Sequence, residues 1–324
     1  MNAAKSTHTP SAVEHEVIAK LDGARLDAAV KDLWGVSWSR ARSWIETGKV
    51  FLLGQPCLDG GRVVRQGETL QLRIDARRPR LPNEIDRDAV LHQDDHIIVV
   101  RKPAGVFTVP FDEPNRDALD EQLRRLLSSQ VGPRRGARAA LFVVHRLDRG
   151  TSGVLVFARS AMARERLAQQ FRDHSVHRRY LAIAHGRVES ARFESHLVVD
   201  RGDGIRGSSE RAKNRSLRRQ GGGKLAVTHV EALEVLRGAT LLSCRLETGR
   251  TNQIRIHLSE AGHPLLGETI YMRDYSGQAV EAPRLMLHAE QLGFIHPGTG
   301  KAVHFSEPMP DDMTRVLASL QSPS

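Results

Sequence analysis

The stretch LFVVHRLDRGTSGVLVFA, residues 141–158, decides how the larger part of this chain folds. Two apolar segments, LFVV and SGVLVFA, flank the polar turn HRLDRGT, and that pattern predicts two strands joined by a short loop. Asp148, Gly150 and Ser152 are the turn-formers that any surface loop uses, so the fragment taken alone has a bland structural explanation. A carboxylate carried on such a turn nonetheless stands at a sheet edge or cleft, where a side chain can meet a ligand.

Upstream, DDHIIVVRKPAG (94–105) is a β-branched strand that stops at a Lys-Pro-Ala-Gly turn. DALDEQLRRLLSS (117–129) repeats Leu119, Leu123, Leu126 and Leu127 at helical spacing. Downstream, AMARERLAQQFRDH is a helix with Ala163, Leu167 and Phe171 on one face, followed by the strands RRYLAIAHG, LAVTHVEALEVL and TLLSCRLETG. Strands outnumber helices and do not alternate regularly with them. The expected class is therefore α+β, with a mixed, largely antiparallel central sheet. There is no internal repeat. The stretch 201–224 is nearly devoid of apolar residues and reads as a mobile basic loop.

The first quarter reads as a separate module. RLDAAVKDL places Leu26, Ala29, Val30 and Leu33 on one helical face, and SWSRARSWIETG opens a second helix at Ser37 or Ser39 that Gly48 closes. Short strands follow in KVFLL and ETLQLRI. The expected division is a frayed tail over 1–16, a helix-plus-sheet domain over 17–76, a Pro- and Arg-rich linker over 77–90, and a large domain over 91–324.

With 48 Lys and Arg against 38 Asp and Glu, the formal charge is +10, a balance that suits a polyanion partner. Aromatic residues make up only 5%, so arginine forks rather than stacked rings would carry such binding. No apolar run is long enough to span a bilayer, and the start, MNAAKSTHTPSAVEHEV, has no signal-peptide core. Cys57 and Cys244 lack metal or redox spacing, and the histidines at 145, 174, 177, 185, 229, 257 and 263 are scattered. The expectations are a cytoplasmic chain and a monomer, without membrane, metal or cofactor.

Several segments in order carry a resemblance. HRLDRGTSG (145–153), RRYLA (178–182) and LETGRTNQIRIHL (246–258) follow RKPAG (101–105), and AGHPLLGETIY and LHAEQLGFIHP close the series. Together they resemble the RluA family of pseudouridine synthases, from about residue 90 to 315. The segments RLD, SRARSWIETGKV and VVRQGETLQL resemble the small RNA-binding domain of ribosomal protein S-four. The first resemblance implies that Asp148 is the catalytic carboxylate, Tyr180 the active-site tyrosine and Arg255 the partner of the aspartate. It implies that Arg146 fills the gap left by a flipped nucleotide, and that Lys102, His145, Thr151, Arg250 and Gln253 contact substrate. The second implies that Arg40, Arg42 and Lys49 contact RNA. Asn252 stands where many members carry histidine and Gly150 where a polar residue is commoner. Neither is expected to touch the three central side chains.

The implied chemistry breaks a glycosidic bond and remakes it through C5 without redox change, so it needs no cofactor. Ionised Asp148 serves either as a nucleophile or as a base that promotes a glycal. Tyr180 would pack on the uracil and help remove the C5 proton. The implied substrate is large-subunit ribosomal RNA, with transfer RNA as the alternative. A silent RNA-binding or ribosome-assembly protein and a base-removing hydrolase are the competing readings.

Overall fold

The structure is a computed structural model that describes residues 13–76, 84–110, 118–131, 140–212 and 222–321, without the side chains of 129–131. The chain divides into two units, residues 1–82 and 83–324.

In the first unit, helices α1 (Leu26–Trp34) and α2 (Trp38–Glu46) cover a four-stranded antiparallel sheet. Its strands are β1 (Val13–Glu16), β2 (Val50–Leu52), β3 (Gln55–Pro56) and β4 (Thr69–Leu72), in the order β1-β4-β2-β3. Leu26, Ala29 and Val30 of α1 meet Ala41 and Ile45 of α2 and Val50 and Leu70 of the sheet in one core. Of the two candidate serines, Ser37 is the cap: its Oγ accepts the Arg40 N–H at 3.3 Å. Residues 13–16, expected in the tail, instead form β1, with Val13 opposite Leu72 and His15 opposite Leu70. Pairing with β4 satisfies backbone groups that four residues of weak alternation do not advertise. Residues 1–12, the rest of the expected tail, lie outside the described residues.

The second unit is built on one large sheet. Its strands are β5 (Val90–Gln93), β6 (Ile97–Lys102), β7 (Phe142–Val143), β8 (Ser152–Ala158), β9 (His177–His185), β10 (Ala191–Val198), β11 (Gly207–Ser208), β12 (Lys224–Leu236), β13 (Ala239–Leu246), β14 (Leu287–Ile295) and β15 (Ala302–Ser306). They run in the order β11-β10-β12-β13-β9-β14-β8-β6-β5, with β15 beside β14 and β7 beside β8. Every strand pair is antiparallel except β14 with β8, where His288 lies opposite Ser152 and Ala289 opposite Gly153. Gly153 (φ +119°) permits that junction, because a β-carbon there would fall 2.1 Å from the Ala289 carbonyl oxygen.

Every residue of β8 is buried. Leu155 and Phe157 pack with Leu119 and Leu123 of α3 (Leu119–Val131). Val154 and Val156 pack on the other face with Ala163 and Leu167 of α4 (Ala161–Arg172). Cover on both faces is why SGVLVFA shows no polar alternation. Two more helices of this unit lie among the described residues: α5 (Gln253–Glu260) follows β13, and α6 (Asp311–Leu320) places Met313 and Leu320 against Leu181 and Ile183 of β9.

Two expected boundaries shift. A one-turn 3-10 helix at Arg87–Ala89 and the start of β5 occupy the end of the expected linker, while 77–83 lie outside the described residues. The expected mobile loop 201–224 is structured at both ends. Gly207–Ser208 pairs with β10, and Lys224 already belongs to β12. Asp203, only 4% exposed, holds Arg201 at 3.1 Å and Arg273 at 3.3 Å. A buried ion pair anchors a segment that composition alone marks as loose. Residues 213–221 lie outside the described residues.

Candidate active site

The turn carrying Asp148 is fastened from below by the segment that follows β6. The Thr108 hydroxyl donates to the Leu147 carbonyl at 2.9 Å and accepts the Leu147 N–H at 3.2 Å. Gly105 N–H donates to the Arg149 carbonyl at 2.7 Å, and Arg149 Nε returns a bond to the Gly105 carbonyl at 3.0 Å. The Lys102 ammonium reaches the carbonyls of Pro103 (2.9 Å), Arg149 (3.3 Å) and Thr151 (2.7 Å). Here the structure departs from expectation. Lys102 is fully buried beneath the loop and is not among the residues lining the cavity, so it supports Asp148 rather than meeting substrate. Burial pushes its pKa down to about 7, against the pull of the Asp148 charge.

Asp148 opens into a cavity of about 1150 Å³. That exceeds the roughly 300–1,000 Å³ typical of small-ligand pockets, and is room for a stretch of polymer rather than one small molecule. Tyr180, Arg255, Arg146, Thr151, Arg250 and Gln253 line the same cavity, as does His145. Seven of the lining residues are arginines (146, 149, 172, 178, 206, 250 and 255), and Asp148 is the sole carboxylate among the described ones. A cavity so charged attracts phosphates and leaves one acid positioned to react.

Arg255 comes from α5 and approaches Asp148 with Nη1 at 3.6 Å from Oδ2. The closer partner is Glu268, whose two oxygens accept Nε and Nη2 at 2.7 Å each. Glu268 has no exposed side-chain surface, and Oε1 also accepts the N–H groups of Thr269 and Ile270 at 2.9 Å. Asn252 completes the clamp. Its Oδ1 accepts from Arg255 Nη1 at 3.0 Å while its Nδ2 donates to the Tyr271 hydroxyl at 2.9 Å. The expectation that Asn252 touches none of the central side chains is thus corrected. It caps α5 three residues before Arg255, at φ 58°, a left-handed geometry that asparagine tolerates.

These contacts set the charges. Burial raises the Asp148 pKa above the usual carboxylate range, with Arg255 and Lys102 pulling against it and Glu268 adding to it. Burial also opposes ionisation of Glu268, but the Arg255 hydrogen bonds and charge outweigh it and hold that carboxyl below its ordinary value. The two acids are pushed apart: one is a fixed anion and the other a more basic group that faces the cavity. Burial carries Tyr180 up to about 12, so it enters as a neutral phenol. It can pack on a ring and donate a hydrogen bond, but it takes up a C5 proton only after losing its own.

Other expected contacts prove largely internal. The Gln253 amide accepts from Thr248 Oγ1 and Arg250 N–H and donates to the Val227 carbonyl and Thr228 Oγ1, all within 3.0 Å. His145 stacks on Phe171 (centroids 4.6 Å apart) and its Nε2 accepts the Val156 N–H at 3.2 Å; burial lowers its pKa to about 3. Both are therefore scaffold at one edge and wall at the other. Arg250 spends Nε on the Leu225 carbonyl at 2.9 Å, and Arg146 is exposed at the rim. In the first unit, Arg40 is exposed. Arg42 pairs with Asp27 at 3.2 Å, and Lys49 donates to the Ala76 carbonyl at 2.5 Å.

Among the described residues, His92, Asp94 and His296 have the composition of a metal set. Their hydrogen bonds argue for a latch. His296 Nδ1 accepts the N–H groups of Gly298 and Thr299 at 3.1 and 3.0 Å, which places the ring proton on Nε2, 2.8 Å from Asp94 Oδ2. A metal at Nε2 would have to displace that proton.

Sequence reasoning did not single out Glu268, Thr108 or Arg178. Glu268 and Arg178 lie inside quoted blocks, GETIY and RRYLA, so an acid or arginine beside a recognised aromatic was the available signal. Thr108 gave none.

Comparison with known proteins agrees with this geometry. Residues 96–260 match the family model described as RNA pseudouridylate synthase. A protein of Xylella fastidiosa named ribosomal large subunit pseudouridine synthase D is 36% identical, covering 93% of this chain and 90% of its own. One of the same name from Nitrosomonas europaea is 35% identical over 99% of this chain and 91% of its own. The solved structure of human RNA pseudouridylate synthase domain containing 4 shares the fold at TM-score 0.56 and 22% identity, covering 73% of this chain and 95% of that one. Sequence, fold and an arginine-lined cavity holding Asp148 agree, and the chain belongs to the RluA family of RNA pseudouridine synthases.

Proposed function

We propose that this enzyme isomerises uridine in large-subunit ribosomal RNA, with Asp148 as the reacting carboxylate. The observation that carries the proposal is that Asp148 is the single acid, among the described residues, in a cavity walled by arginines, in a chain similar along nearly its whole length to proteins named for that RNA. The reaction breaks the N1–C1′ bond, turns the uracil and forms C5–C1′; the C5 proton departs and N1 gains one. Asp148 acts on the ribose or the base while Arg255, held by Glu268 and Asn252, keeps a guanidinium edge at its side. A paired uridine reaches the cavity only by flipping out, at a cost of a few kcal/mol, and in this proposal Arg146, exposed at the cavity, occupies the gap.

The first unit adds RNA affinity in this proposal. Trp38 is 46% exposed, with Lys31 and Arg42 at 5.6 and 5.5 Å from its ring centroid, and Arg40 is exposed one helical residue beyond Ser39. Arg40→Glu is expected to weaken RNA affinity about tenfold, an order set by charge-assisted bonds of about 1.5–3 kcal/mol. Turnover at saturating RNA should hold; unchanged affinity removes Arg40 from the RNA surface.

The test of function is pseudouridine mapping in ribosomal and transfer RNA from cells lacking this protein, with complementation by wild type and by Asp148→Asn. A large-subunit site lost on deletion and restored by wild type alone supports the proposal. Loss in transfer RNA moves the substrate, and no loss anywhere favours a non-catalytic role in ribosome assembly.

A further inference from the structure

Strand β9 turns two buried polar side chains to one face, Arg178 and Tyr180, two residues apart. Tyr180 belongs to the reaction. Arg178 has no assigned task, and its surroundings are unusual for this molecule. It is 6% exposed, yet among the described residues no carboxylate pairs with it. Its Nη2 donates to the Glu247 carbonyl at 3.0 Å, and its Nε is buried without a hydrogen-bond partner. Three other arginines with little exposure are served differently: Arg255 has Glu268, Arg201 has Asp203 and Arg284 has Asp312. A guanidinium buried without an anion costs several kcal/mol, which burial expresses by lowering the Arg178 pKa from the ordinary arginine value.

The chain also makes space for this charge. A β-carbon on Gly249 would stand 2.5 Å from Arg178 Nη1, so glycine at that position lets the guanidinium lie against the backbone. Arg178 lines the main cavity and also a side cavity of about 200 Å³ bordered by His174, His177 and Arg245. Arg178, His174 and Leu246 are shared by the linings of both cavities. Two residues along a strand is roughly 6.5 Å, close to the reach from a nucleobase to its flanking phosphate.

We propose that Arg178 is a phosphate-binding residue, receiving a phosphodiester next to the nucleotide whose uracil meets Tyr180 and Asp148. The inference rests on the RNA-modifying reading above and adds the missing anion to it. A planar fork with unused N–H groups matches two phosphate oxygens, and the incoming phosphate supplies the counter-charge that the folded chain withholds.

The test titrates uridine 5′-monophosphate, uridine 3′-monophosphate and uridine into the full-length chain, as wild type, Arg178→Met and Arg178→Lys. Wild type is expected to bind one of the monophosphates at least about tenfold tighter than uridine, the value of one strong charged hydrogen bond. In Arg178→Met that ratio should collapse toward one while the melting temperature holds or rises, since an apolar chain replaces an unpaired charge. Arg178→Lys should recover part of the ratio, and keeps the test valid if the methionine variant folds poorly. An equal ratio in wild type and both variants, or no preference for either monophosphate in wild type, overturns the proposal. Pseudouridine formation by wild type is scored separately. A chain that discriminates through Arg178 but makes no pseudouridine keeps the phosphate site and loses the reaction; the converse loses only the site.

Discussion

Asp148→Asn is expected to lower kcat/KM by at least about 10⁴-fold, the scale seen when a reacting side chain is removed, while the melting temperature holds or rises. The second half follows from the sign of the Asp148 shift. Its pKa is raised in the folded chain, so ionising it opposes folding at every pH above that raised value and has no effect below the unfolded carboxylate value. Asparagine removes the charge and the penalty together. Arg255 is not stranded, because Glu268 still holds two of its nitrogens at 2.7 Å. The same sign fixes the acid limb of wild-type activity: as pH falls, kcat/KM should decline through a midpoint above the ordinary Asp value of about 3.9. A stable, active Asp148→Asn enzyme would remove Asp148 from the chemistry.

Glu268→Ala should be the most damaging substitution for stability. It leaves the Arg255 guanidinium, 11% exposed, without its bidentate partner, and strips an acceptor from the N–H groups of Thr269 and Ile270. Breaking a buried pair in this way costs about 3–5 kcal/mol. At the roughly 2–4 °C per kcal/mol of a domain this size, the second unit should melt about 6–20 °C lower. The Glu268 pKa is depressed in the folded state, so the stability it contributes is complete above the unfolded Glu value of about 4.3 and is lost as pH falls through the folded one. The melting difference between wild type and Glu268→Ala should therefore shrink in acid. A variant that melts like wild type at neutral pH would show the clamp to be dispensable.

The sheet was legible where burial wrote itself into the sequence. SGVLVFA and HIIVVRK read as strands because helices cover both of their faces, and Leu119, Leu123 and Leu127 read as a helix because one face alone is buried. α5 was hidden: eight residues beginning at a left-handed asparagine give too little periodicity to detect. β1 was hidden because four residues gain strand character only from the partner β4. That Asp148, Tyr180 and Arg255 would come together in one cavity was legible through motif order. The direction of a side chain was not. Lys102 and Gln253 stand in the recognised blocks yet turn their polar ends to the protein backbone, and Asn252 does the opposite of what was expected by gripping Arg255. Spacing along a chain shows which residues assemble; the acceptors that surround each one decide what it has left to offer.

The parallel contact of β14 with β8 also sets a clock. Ser152 on the loop side of Asp148 is matched to His288, with Oγ 2.9 Å from the imidazole Nδ1. The partner strand therefore does not exist until 136 further residues have been polymerised. At the roughly 5–20 residues per second of synthesis, that is a wait of about 7–27 s. Through that interval the nascent chain carries the Asp148 turn but not the strand that completes the sheet beside it. The candidate site is consequently a product of late, non-local assembly, and a chain stalled or truncated before β14 emerges with Asp148 on its turn but without the strand that flanks it.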